Sequence, residues 1–299
     1  MPHLETTLSL QMKFHAFTVI STLLKGIRRQ PRTIMLSALD IRTTPSGATI
    51  PSKVMLVDTI SKLDTACSTI LSGGEGPEVP SEMNGLLPRA GRQDRTTMIA
   101  VDLEGANLSR TGAISLVTVA TATTVYAFDV VELGHQAFTH GLNDVLTAPH
   151  ILKLMYDCRT DCDALKYQFG AHIDPICDLQ VTSMMYHLGP GKRNYLLGMK
   201  KAFEKFNVFD AAASSLKDRV GKLTFDNLGG DPNLWLARPL NRDLLDYSVA
   251  DVKYFFVVLQ KSASYAKAGH VAGTRRRDRT INSPVEIRGT AHTDFLKDL

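Results

Sequence analysis

Thr97-Met98-Ile99-Ala100-Val101-Asp102-Leu103-Glu104-Gly105 is a short apolar run that ends in two carboxylates and a glycine. Its β-branched and aliphatic character reads as a buried strand over residues 98–104. Successive side chains on a strand alternate faces, so Asp102 and Glu104 point the same way. Two carboxylates side by side repel each other unless a cation sits between them, and an all-oxygen pair suits Mg²⁺ or Mn²⁺. An isolated Asp-x-Glu is also a common solvated strand end. The rest of the chain must therefore supply further carboxylates at suitable places.

Working outward, residues 54–57 read as a short strand, with Asp58 or Thr59 capping a helix that runs to about residue 70. A Gly/Pro-rich loop fills 72–94. After the opening stretch come strands at 114–120 and 124–129, a helix at 136–147, a strand at 151–156 and a helix at 159–168. A strand at 175–178 and a helix at 179–187 follow. Residues 189–238 are less regular and include a helix with Lys200, Lys201 and Lys205. Asn241 caps a long final helix whose apolar set is Leu244, Leu245, Val249, Val252, Phe255, Phe256 and Leu259. Three strands followed by alternating helix and strand predict an α/β fold, a mixed β-sheet flanked by helices, as a single catalytic domain with flexible termini.

The flanks differ from this core in charge. Residues 1–95 carry 11 Lys+Arg against 8 Asp+Glu, residues 96–265 carry 16 against 18, and residues 266–299 carry 7 against 4. The surplus acid of the middle segment is consistent with divalent cations acting on a polyanion. Residues 1–52 read as a disordered or targeting leader: no acid occurs from residue 6 to 39, while Lys13, Lys25, Arg28, Arg29 and Arg32 are basic. Either mitochondrial import or a start codon placed upstream of the true one, with Met35 or Met55 as the alternative, accounts for it. Residues 53–265 form the domain, and 266–299 a basic mobile tail with Arg275, Arg276, Arg277 and Arg279. No run reaches ~18 apolar residues, so a membrane partner is not expected. Four cysteines and no secretory signal place the chain in an intracellular compartment, cytoplasmic or nuclear, with the mitochondrion as the alternative the leader raises.

Tyr247 and Asp251 lie four residues apart on the final helix, so they share a face. Asp161 lies in the helix after strand 151–156. Asp102, Glu104, Asp161 and Asp251 thus sit at element ends or on faces that could converge. Four carboxylates in one pocket require cations, and a pair of divalent metals ~3.5–4 Å apart is the usual arrangement for phosphodiester cleavage. A tyrosine of ordinary pKa, ~10, is a poor base at neutral pH, so Tyr247 is suited to aiming an attacking water.

With these residues in place the sequence resembles the DEDD 3′–5′ exonucleases of the ribonuclease H-like superfamily, most nearly the ribonuclease D and Egalitarian-type domains. Three blocks carry the resemblance: Ile99-Ala100-Val101-Asp102-Leu103-Glu104-Gly105, Lys153-Leu154-Met155-Tyr156-Asp157-Cys158-Arg159-Thr160-Asp161, and Tyr247-Ser248-Val249-Ala250-Asp251-Val252. Trp235-Leu236-Ala237-Arg238-Pro239-Leu240 matches the family's Trp-x-x-Arg-Pro-Leu. The resemblance covers roughly residues 54–262. It implies that Asp102, Glu104, Asp161 and Asp251 hold two divalent cations, Mg²⁺ or Mn²⁺, and that Tyr247 positions the water. A residue five before the last Asp, here Asp246, is histidine in the other subclass, so the tyrosine subclass is implied. Thr118 replaces a frequent Gln, Tyr156 a frequent His, and segment 207–234 is longer than usual.

Asp157 and Asp163 compete with Asp161 for the third ligand position. Cys158, Cys162, His172 and Cys177 do not follow a zinc spacing, and the three cysteines read as buried thiols. Lys192, Arg193, Lys200 and Lys201 are candidates for phosphate contacts, with a solvated helix face as the alternative. The expected function is metal-dependent removal of nucleotides from the 3′ end of a single-stranded nucleic acid, RNA ahead of DNA. The alternative is a catalytically inactive nucleic-acid-binding or adaptor module on the same fold.

Overall fold

The computed structural model describes residues 50–78, 97–186, 196–209 and 211–262. In chain order the elements are β1 (Lys53–Val57), α1 (Ile60–Leu71), β2 (Thr97–Ala106), β3 (Ala113–Ala120), β4 (Thr124–Asp129), a single turn α2 (Val130–Leu133) and α3 (Asn143–Thr147). Then come β5 (Ile151–Met155), α4 (Arg159–Phe169), β6 (Ile176–Asp178), α5 (Leu179–Tyr186), α6 (Met199–Lys205), α7 (Ala211–Thr224) and α8 (Arg242–Lys253). The expected leader, the loop 79–96, Lys192, Arg193 and the basic tail lie outside the described residues.

The six strands form one sheet in the order β1-β4-β3-β2-β5-β6. β3 runs antiparallel to β2 and β4, while the β1–β4, β2–β5 and β5–β6 pairs are parallel. Both faces are covered, which is why β2 is buried almost throughout. Period-two alternation sorts its residues. Ile99, Val101 and Leu103 enter a core with Leu63 and Ala66 of α1, Val145 of α3, and Ala164 and Leu165 of α4. Met98 and Ala100 enter the other core, with Phe203 of α6, Val249 and Val252 of α8, and Phe255. Asp102 and Glu104, at even positions, therefore face the α8 side, level with its inner surface.

Local chemistry accounts for the element ends. Thr59 caps α1 by accepting from the Lys62 N–H, while Asp58 pairs with the Lys62 ammonium at 2.7 Å. Asn241 caps α8 by accepting from the Asp243 N–H at 2.8 Å. The final helix is shorter than its apolar pattern predicts: it breaks at Tyr254, and helical backbone resumes over 255–262. The helix expected at 136–147 is also broken. A π-type turn spans Phe138–Leu142, with Gly141 at φ 122, before α3 begins. A Cβ on Gly141 would lie 3.0 Å from Cys67 Cβ, so α1 packs where a side chain would stand. The segment 189–238, expected to be less regular, contains the 14-residue helix α7.

Candidate active site

β2 carries Asp102 and Glu104 to its carboxyl end, where the pairing with β3 slips by one residue between Glu104 and Gly105. This bulge depends on glycine, since a Cβ at Gly105 would sit 2.1 Å from the Ala113 carbonyl oxygen. Across the ladder, Asp102 faces Thr118 and Glu104 faces Leu116. α8 crosses this face and brings in Asp251, with Tyr247 one turn earlier. Ligand oxygens of Asp102, Glu104 and Asp251 lie within 4.8 Å of one another. Asp102 and Asp251 are buried, as is Tyr247.

The orientation of α8 rests on the Trp235–Arg238 segment. Arg238 grips Asp129 at the end of β4 through two contacts, Nε to Oδ2 at 2.7 Å and Nη2 to Oδ1 at 2.6 Å. It also donates to the Trp235 and Ala237 carbonyls, and Ser115 donates to the Trp235 carbonyl. Trp235 thereby stands edge-on to the Tyr247 ring, centroids 5.9 Å apart, in a cluster with Leu116, Val220 and Leu244. The Trp-x-x-Arg-Pro-Leu signature thus has a physical role: it fixes the ring that precedes Asp251 by one turn.

Asp161 lies at the first turn of α4, buried, and stands apart from the converging trio. Its charge still reaches Asp102 and Glu104 and raises both. Its two rivals are engaged elsewhere. Asp157 contacts Arg159 at 2.6 Å, and Asp163 pairs with Arg110 at 2.8 Å. The turn before α4 places Asp157 at φ 58, a conformation Asp tolerates. Half-buried Asp178 secures that turn by accepting from the N–H groups of Asp157, Cys158 and Gln180.

Burial pushes the carboxyl groups of Asp102, Glu104 and Asp251 above the usual carboxylate range. Repulsion from Asp251 adds to the shift of Asp102 and of Glu104. Asp161 is pushed to about 8, first by burial and then by Asp157 and Asp178. Tyr247 is raised well above its ordinary value by burial and by the three carboxylates. It is therefore a hydrogen-bond donor at neutral pH. The donor set, all oxygen and held close against its own repulsion, fits a hard divalent cation. The buried Thr118 hydroxyl, on the same face as Asp102, has no hydrogen-bond partner among the described residues, which suits a hydrated ion nearby.

One functional side chain escaped the sequence reading. Lys217, on α7, is buried and forms an ion pair with the Asp251 carboxylate. Its Nζ stands 3.3 Å from the centroid of the Tyr247 ring. The flanking residues lock α7 in place, Asp218 to Lys200 of α6 at 2.5 Å and Arg219 to Asp243 of α8 at 3.0 Å. Lys200 is thus occupied by Asp218 and Glu204, while Lys201 is exposed. The cysteines are free thiols, Cys67 and Cys177 buried and Cys158 and Cys162 half-buried. They contribute to no metal-ligand grouping among the described residues.

Fold and site define a ribonuclease H-like nuclease domain with the acidic cluster at the carboxyl ends of its strands. A family model described as 3′–5′ exonuclease matches residues 86–262, and the chain belongs to that family. The human piRNA biogenesis protein EXD1 is 29% identical over 163 residues, covering 54% of this chain and 31% of the relative. The match thus spans less than a third of that relative's length. Among solved structures, ribonuclease D of Trypanosoma brucei aligns with a TM-score of 0.54 at 21% identity, covering 84% of this chain and 82% of that one. Its complex with RNA U12 aligns at 0.53 and 21%, covering 82% and 78%. These likenesses establish the shared fold.

Proposed function

We propose that this chain is a metal-dependent exonuclease that shortens single-stranded nucleic acid from the 3′ end, RNA in preference to DNA. The observation that carries this reading is the convergence of Asp102, Glu104 and Asp251 within 4.8 Å, with Tyr247 one turn before Asp251. Asp102, Glu104 and Asp251 would hold divalent cations, with Asp161 completing the set from α4. Bound there, such ions supply Lewis-acid activation of water and charge stabilisation at the leaving oxygen. Tyr247 keeps its proton and donates a hydrogen bond that aims the nucleophile. The edge of Trp235 holds the Tyr247 ring at one angle, so the direction of that bond is set before substrate arrives. The preference for RNA is supported by the RNA-bound ribonuclease D neighbour and by the human relative's name as a piRNA biogenesis protein.

One observation favours the adaptor reading. Lys217 already neutralises part of the site, and a pocket whose cation is permanently a lysine would bind nucleic acid without cutting it. The deciding test is incubation with end-labelled single-stranded RNA and DNA in Mg²⁺, Mn²⁺ or EDTA. Metal-dependent shortening from the 3′ end is expected. A chain that binds but stays inert under every condition leaves the adaptor as the better account.

A further inference from the structure

Lys217 sits where a metal-dependent site would not ordinarily keep a cation. Its ammonium pairs with Asp251, one of the three carboxylates that converge, with 7% of the lysine side chain and 4% of the aspartate side chain exposed. A single ammonium offsets one of these negative charges. A divalent cation offsets two and coordinates several carboxylates at once. Ion and ammonium compete for the same Asp251 carboxylate, and two cations at contact distance in a poorly hydrated pocket repel strongly.

We propose that Lys217 is the placeholder cation of this site: its ammonium holds Asp251 until a divalent cation displaces it, and it thereby sets how tightly the site takes metal. The side chain is suited to the exchange. Lysine carries its charge on a flexible four-carbon stem, and here the stem rises from a helix held by Val220, which is buried in the cluster with Trp235, Leu244 and Tyr247. The backbone stays in place while the ammonium moves. The ammonium already lies over the Tyr247 ring, 3.3 Å from its centroid, and that contact can keep the charge in the pocket once Asp251 is released. Before metal enters, the same ion pair keeps Asp251 and Tyr247 on one alignment, so Lys217 is a positioning residue for both.

This inference rests on the reading of the site as metal-dependent, and its test is metal binding without substrate. Mn²⁺ is titrated by calorimetry into the wild-type chain, Lys217→Met and Lys217→Arg. Lys217→Met should bind Mn²⁺ about tenfold or more tightly than wild type, because no ion pair has to be broken. Lys217→Arg, which keeps the charge, should stay near wild type. The metal-free Met variant should also melt lower and gain more on adding Mn²⁺. Equal or weaker Mn²⁺ binding by Lys217→Met, with wild type binding normally, overturns the placeholder and leaves the proposed function standing. No binding by either chain overturns both. Binding by the Met variant alone would mean that metal cannot displace the lysine, which overturns the exchange and turns the proposed function toward the adaptor. If Lys217→Met does not fold, Lys217→Gln carries the same comparison.

Discussion

At the turn between β5 and α4, the half-buried carboxylate of Asp178 is answered by three backbone N–H groups and Asp157 by the guanidinium of Arg159. At the neighbouring carboxyl end of β2, Asp102, Glu104 and Asp251 share a single lysine. Both regions concentrate acid at the ends of adjacent parallel strands, the usual place for ligands in α/β sheets. The first is satisfied by fixed backbone donors at Asp178 and by the neighbouring Arg159 side chain at Asp157. The second is held by a movable charge and stays under-neutralised. That difference separates a structural acidic cluster from one able to take a ligand: fixed donors rigidify, whereas an incomplete set of charges leaves room for a cation.

The widest separation between the regions should appear with Asp102→Ala. Cleavage should fall by about 10³-fold or more, since the missing ligand removes electrostatic stabilisation that acts at the transition state. Stability of the metal-free protein should hold or rise, because one repelling charge has gone. Rate measurements paired with urea melts check both halves; full activity in this variant would break the comparison.

Tyr247→Phe should lower kcat by about 10- to 1,000-fold while binding of single-stranded substrate is kept. The ring that packs on Trp235 and under Lys217 remains, so the loss is confined to the hydroxyl. Separate kcat and KM values settle it.

Asp178→Ala should behave in the opposite way to Asp102→Ala. Three N–H groups lose their acceptor in a half-buried turn, and stability should drop by about 1–3 kcal/mol. A denaturation midpoint near that of wild type would show that the turn is held by other contacts.

The smallest effect is a pH dependence. A carboxyl raised in the folded state binds protons that the unfolded chain has released, so its contribution to stability is lost as pH rises from the unfolded value to the folded one. For Asp161 that window runs from its ordinary 3.8 up to about 8. The metal-free protein should therefore lose thermal stability across this range, and Mg²⁺ should restore it progressively. Lys153, buried against the Ala148 and Asp174 carbonyls and lowered to about 7, acts with the other sign, adding stability as pH rises from about 7 toward 10.5. Melting curves at pH 5 to 7, with and without Mg²⁺, isolate the carboxyl groups. A flat metal-free profile would mean that burial leaves Asp161 near its ordinary carboxylate range in the folded chain.

Periodicity and capping made most of the framework legible in the sequence. The alternation of 98–104 placed Asp102 and Glu104 on one face, Asn241 marked the start of α8, and four-residue spacing put Tyr247 beside Asp251. These are local rules, each satisfied within one element, and the structure follows them. Where packing between elements decides, the sequence carried less. The 136–147 stretch has helical periodicity, but the approach of α1 at Cys67 breaks it at Gly141. Asp161 was separable from Asp157 and Asp163 by resemblance, whereas the physical distinction lies in which acids meet an arginine.

Lys217 shows the limit most plainly. The Ala211-Ala212-Ala213 run and the Leu216–Val220 spacing do point to a helix within 207–234. Nothing in the sequence sets Lys217 apart from Lys222, one and a half turns on and exposed. Composition, strand alternation and helix capping determined the sheet, its helices and the acids at their ends, because these depend on neighbours a few residues away. Which cation those acids face was decided by the packing of α7 on α8, thirty-odd residues apart in the chain, because charge compensation depends on distance in space.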